Sequence, residues 1–98
     1  MRRVVLTDEA ASRLEAQIDY LVVHDAIAAA RALRWRVGDY IKHTLAQFPA
    51  SGKVLSARNL WEVWIPDTRI VVWYQFDDDI VTIITFWHTS QDREPDRD

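Results

Sequence analysis

Three histidines, His24, His43 and His88, and no cysteine limit what this 98-residue chain can do chemically. Without a thiolate there is no disulfide framework, no cysteine nucleophile and no sulfur-ligated metal. The histidines stand singly, with no i, i+4 pair and no HExxH run, so no metal and no cofactor is expected. Recognition chemistry is better supplied. The stretch "NLWEVWIPDTRIVVWYQF", residues 59–76, holds Trp61, Trp64 and Trp73, three of five tryptophans, and tryptophan is among the residues most enriched at binding hot spots. A second cluster, "ARALRWRVGDYIK", gathers Arg31, Arg34, Arg36 and Lys42 around Trp35. Its cations meet an acidic partner or a phosphate backbone, or else they form the solvated face of a helix while Trp35 covers a neighbouring helix or strand. The second reading is the expectation, because outward charges on a helix are usually just solvated.

Elements must position these groups, and the totals bound them. Hydrophobic residues make up 49% and charged residues 28%, ordinary globular usage, so the chain folds as a single domain spanning 1–98. The net charge of −3 argues against sequence-independent nucleic-acid binding. It is unevenly spread: residues 1–53 carry 8 basic and 6 acidic side chains, residues 54–98 carry 4 and 9. No apolar run reaches the roughly 18 residues of a membrane span, and "MRRVVLTDEAAS" lacks the apolar core of a signal peptide. A cytoplasmic location is expected.

"RRVVLT" reads as a strand, followed by Thr7 as the N-cap of a first helix with Asp8 and Glu9 in its first turn. Leu14, Ile18 and Leu21 form its apolar stripe to about Val23. Asp25 is placed to cap a second helix carrying Ile27, Ala30, Leu33, Val37, Ile41, Leu45 and Phe48 until Pro49. Gly38 inside it costs about 1 kcal/mol against Ala, which suggests close packing or a slight bend. Beyond "PASGK" three segments read as antiparallel strands, "VLSARNLWEVWI", "RIVVWYQF" and "IVTIITFW", with turns at Pro66-Asp67-Thr68 and Asp77-Asp78-Asp79. From about residue 94 the polar tail is expected to fray. The fold class is therefore α+β: an N-terminal strand, a two-helix hairpin, then an antiparallel sheet of about three strands packed on the helices.

Alternation assigns Ile70, Val72, Tyr74 and Phe76 to one face of the middle strand and Val71, Trp73 and Gln75 to the other. In the last strand it assigns Ile80, Ile84 and Phe86 to one side and Val81, Ile83 and Trp87 to the other. Both faces are apolar, and two helices cover only one. The second face must be covered by the tail, a second copy or an extended partner, and Trp73 is expected to be exposed on it.

The ordered set "LTDEAASRLEAQIDYL", "FPASGK", "WIPDTRIVVWYQFDDD" and "VTIITFWHTSQDR" resembles the RelE/ParE superfamily of bacterial type II toxin-antitoxin toxins across most of the chain. The resemblance implies a growth-arresting toxin, often tied to plasmid stabilisation, neutralised by a cognate antitoxin whose C-terminal segment folds onto it. The ParE-like branch, which inhibits DNA gyrase, is favoured. RelE-like relatives are instead ribosome-dependent mRNA endoribonucleases, and a non-toxic homodimeric binding module is a further alternative.

The nuclease reading would enlist Arg69, which matches the family's strand arginine, to neutralise phosphate, with Glu62 and His88 as base and acid. Blander readings pair Arg69 with Asp67 or a tail carboxylate and leave Glu62 solvated. The sheet half is acidic, Lys42 and Lys53 are the only lysines, and no tyrosine follows Trp87, departures that weigh against a nuclease. An enzyme is therefore not the favoured reading. For target or antitoxin contact the candidates are Trp61, Trp64, Trp73, Trp87, His88, Asp92 and Arg93.

Overall fold

In the computed structural model, which describes residues 1–89, a short strand β1 (Arg3–Leu6) leads directly into α1 (Asp8–Val23). Thr7 caps that helix as its position suggests: its Oγ1 accepts the Ala10 N–H at 3.1 Å, and Asp8 and Glu9 sit at the positive end of the helix dipole. The hairpin continues through α2 (Ile27–Tyr40) into a π-helical turn (Ile41–Leu45) and a short 3-10 turn at Pro49–Ser51. Asp25 does not cap α2. It takes a left-handed φ of 58° in the interhelical turn, and Ala26 occupies the N-cap with no side-chain hydrogen bond.

The strands β2 (Lys53–Ser56), β3 (Leu60–Trp64), β4 (Ile70–Phe76) and β5 (Ile80–His88) complete a five-stranded sheet of order β1-β5-β4-β3-β2, with β1 parallel to β5 and every other pair antiparallel. The antiparallel part has four strands rather than three because "VLSARNLWEVWI" folds back on itself. The reversal runs through Asn59 at φ 60°, a conformation Asn tolerates, and the Asn59 amide donates to the Phe76 carbonyl at 2.8 Å.

Both helical segments pack on one face of the sheet. Ala10, Val37, Ile41 and Leu45 meet Ile70, Val72 and Tyr74 of β4 and Val81, Ile83 and Phe86 of β5. The side assignment for β4 holds, but strict alternation fails in β5. Trp73 pairs with Thr85 and Tyr74 with Ile83, so Ile84 is an extra residue in a bulge. The bulge resets the parity, and Val81 and Ile83 turn to the helices together with Phe86. Thr7 stabilises it, since its hydroxyl donates to the Ile84 carbonyl at 2.7 Å while capping α1.

The two glycines have opposite surroundings. A Cβ on Gly38 would meet nothing within 4 Å, so no close packing requires it. A Cβ on Gly52 would collide with the Tyr74 hydroxyl and the Glu62 carbonyl. That hydroxyl is buried and donates to the Pro49 carbonyl at 2.6 Å, tying β4 to the segment that follows the helices. Among the described residues no helix is long and apolar enough to cross a membrane.

Candidate functional site

Alanines make room at the free end of the helical hairpin. Ala16 of α1 and Ala29 and Ala32 of α2 line a groove of about 890 Å³ that opens between the helices and the end of the sheet. Leu21 and Leu33 add to its apolar lining. Its other end is polar, formed by Arg36, Asp67, Thr68, Arg69 and His88. The β3–β4 turn that supplies three of these is held internally: the Thr68 hydroxyl donates to the Ile65 carbonyl at 2.8 Å and accepts the Ile70 N–H at 3.0 Å. Asp67 stands at φ 62° in that turn.

Arg69 does not pair with Asp67. The Asp67 carboxylate is bridged instead by Arg36 from α2, at 3.3 Å, across the mouth of the groove. Arg69 is exposed, fixed through its backbone by the Thr89 N–H at 2.9 Å, and makes no ion pair among the described residues. His88 pairs across the ladder with Ile70, which brings it into the same groove as Arg69. Two arginines against one aspartate leave this end of the groove with cationic excess.

Glu62 is not part of this constellation. It pairs with Trp73 in the ladder and accepts the Trp73 indole N–H at 2.8 Å, on the face away from the helices. Adjacent cross-strand partners share a face, and Trp73 is three residues from Ile70, hence on the opposite side. Arg69 and His88 therefore come together while the carboxylate proposed to work with them lies across the sheet.

The second face carries two cross-strand rows, Trp64–Val71–Trp87 and Glu62–Trp73–Thr85. Three of these six residues are buried: Val71, Trp73 at 7% exposure and Thr85. The expectation that Trp73 lies exposed is thus corrected. Its ring packs edge-on against Trp87, with centroids 5.9 Å apart, and its polar atom is satisfied by Glu62. Trp64 is the exposed tryptophan of the sheet, at 58%, and donates to the Thr68 carbonyl at 2.7 Å, so it stands on the outer lip of the turn that closes the groove. The Trp87 indole N–H is buried with no acceptor among the described residues. Trp61 belongs to the helix side, partly buried against the core, with Phe76 5.2 Å away between ring centroids. Asp92 and Arg93 lie outside the described residues.

Sequence reasoning named Arg36 only within the basic cluster of the second helix, without its partner Asp67, and missed the apolar lining of the groove. The available signal was the run "AIAAARAL", small side chains where a helix facing a filled core would carry large ones. Trp35, expected to cover a neighbouring helix or strand, is instead 67% exposed.

No functionally curated protein matches the sequence. Among solved structures, the fold is similar to that of a chain of the chromosomal ParDE TA system from P. aeruginosa, with a TM-score of 0.75 and 18% identity over 90% of this chain and 96% of that one. It is also similar to YafQ from E. coli strain BL21(DE3), with a TM-score of 0.51 and 11% identity over 92% and 96% of the respective chains. The family model described as the ParE toxin of the type II toxin-antitoxin system, parDE, matches residues 4–93, and this chain belongs to that family.

Proposed function

We propose that this ParE-family toxin acts by binding DNA gyrase in the bacterial cytoplasm, and that a cognate antitoxin neutralises it by seating an amphipathic segment in the groove and passing over its lip at Trp64. The observation that carries this reading is the separation of Glu62 from Arg69 and His88. RNA cleavage through the 2'-hydroxyl asks for a base, an acid and a cation around one phosphate; Glu62, the carboxylate assigned as base, is held on the far face by Trp73, and the groove's own carboxylate, Asp67, is bridged by Arg36. What remains in the groove is recognition chemistry: an apolar stretch that accepts a helix face, and arginines at one end that accept carboxylates.

The seat also suits a segment that crosses the β3–β4 turn to the second face. There it meets exposed Trp64 and brings backbone carbonyls toward the Trp87 N–H, which has no acceptor among the described residues. Trp61 and Trp73 then serve the fold rather than the contact.

Parallel assays test the target. The purified chain is expected to block supercoiling by gyrase while leaving ribosome-bound mRNA intact. Codon-spaced mRNA cuts with normal supercoiling would sink the gyrase reading and favour a RelE-like nuclease, for which the proximity of Arg69 and His88 is the structural argument. In that case His88→Ala should cost about 100-fold or more in turnover.

A further inference from the structure

The outward side of α2 is dressed for a partner that the groove does not explain. Ile27, Arg31 and Trp35 recur at intervals of four and form one ridge on the helix, set about 110° around its axis from the buried Ala30 and Val37. Ile27 is 52% exposed and Trp35 is 67% exposed, so α2 is apolar on two sides, whereas a helix with one neighbour has one apolar stripe. One turn beyond Trp35 comes Gly38. Helical side chains lean toward the N-terminus, so Trp35 tilts away from that spot, and a Cβ there would meet nothing. A mid-helix glycine lowers helix stability, and no contact among the described residues explains this one.

The charges separate the outer face from its flanks. Arg34 is bridged to Glu15 at 3.2 Å and Arg36 to Asp67 at 3.3 Å. Arg31 and Lys42, on the same side as Trp35, are exposed and make no ion pair among the described residues. The acid at the edge of this face, Asp39, is engaged by His43 at 3.7 Å. An exposed indole, a notch beside it and two cations that make no ion pair among the described residues form a hot-spot arrangement.

We propose that this outer face of α2, centred on Trp35 and Gly38, is the surface that grips the toxin's target, and that it docks an acidic protein surface with an apolar pocket for the indole. The proposal rests on the toxin reading above and assigns the target contact to a place apart from the antitoxin groove. That groove uses Ala29, Ala32 and Arg36, on another side of the same helix. A protein partner is favoured over nucleic acid because two cations at either end of the patch are too few for backbone binding, in a chain of net charge −3.

Full-length wild type and the variants Trp35→Ala, Gly38→Leu and Arg31→Glu/Lys42→Glu are compared in growth arrest on induction, inhibition of purified gyrase, binding of duplex DNA and thermal melting. Each variant is expected to need at least 10-fold more protein to inhibit gyrase while melting at or above the wild-type temperature. Gly38→Leu is the decisive member, because it should strengthen the helix while weakening the toxin, a combination no structural role produces. Full potency in the variants would overturn the proposal and leave the toxin reading standing. If wild type arrests growth without touching supercoiling, the gyrase reading fails and growth arrest judges the face: variants that no longer arrest uphold it, variants that still arrest overturn it. DNA binding by wild type that the variants lose would overturn the choice of a protein partner. A wild type that neither arrests growth nor inhibits supercoiling takes both proposals down.

Discussion

Tyr74 shows how one side chain couples the core to pH. Burial pushes its phenol up to about 12, a hydrogen bond from the Gly52 backbone pulls it part of the way back, and Tyr40 adds a further rise. The unfolded phenol titrates near 10, so between about 10 and 12 the unfolded chain gives up a proton that the folded chain keeps. Stability from this residue is therefore complete below the unfolded value and is lost as pH rises through that window. Urea unfolding of wild type is expected to weaken steeply there, and Tyr74→Phe to flatten that limb. At pH 7 the same variant should be less stable by about 1–3 kcal/mol, because the buried Pro49 carbonyl loses its donor. Asp77 works in the opposite direction. The backbone N–H groups of Asp79 and Ile80 hold its carboxyl below the usual range, with a smaller contribution from Arg2. Its contribution is present above the ordinary carboxylate value and is lost as pH falls through the lowered one. Asp77→Asn should leave melting at pH 2 to 3 nearly unchanged while lowering it at pH 6. An equal loss at both pH values would show that the charge is not what stabilises the turn.

At the scale of elements, Thr7 links two features that would otherwise be separate, the start of α1 and the β5 bulge. Thr7→Val keeps the shape and removes the hydroxyl, leaving a helix N–H and the Ile84 carbonyl without their partner. A loss of about 2 kcal/mol in denaturant unfolding is expected, with Thr7→Ser close to wild type. This junction also marks the limit of what the sequence makes legible. Periodicity gives β1, α1, α2 and the succession of strand segments, and capping gives the start of α1, because each depends on neighbours in the chain. The bulge depends on a hydroxyl 77 residues away, and no local signal in "IVTIITFW" announces it. The turn at Asn59 was concealed in the same manner, inside a run of strand formers. For the site, Arg69 and His88 were visible as residue types at strand ends, and the ladder register does bring them into one groove. The groove itself was not visible, since it arises where the hairpin and the sheet part company.

For the whole molecule the unequal distribution of charge becomes a question of which surface takes which partner. The sheet half is acidic overall, yet the groove at its end presents Arg36 and Arg69 against Asp67, a local reversal that suits a segment carrying carboxylates. Exposed charges attract through solvent and are screened by salt, so this contribution to antitoxin affinity should fall as ionic strength rises. Arg69→Glu is expected to weaken antitoxin binding at least 10-fold at low salt, measured by calorimetry, and to shrink the salt dependence of what remains. Trp64→Ala, at the lip, should weaken binding by about 2 kcal/mol at every salt concentration, because an apolar anchor is not screened. Neither substitution touches the core, so melting should hold in both. Trp73→Ala provides the contrast: with 7% of its surface exposed, its loss should destabilise the free protein by about 3–5 kcal/mol. Were Arg69→Glu to bind as wild type does, with an unchanged salt slope, the groove's arginines would not be the antitoxin's anchor. The charge reversal at the end of the sheet would then need another occupant.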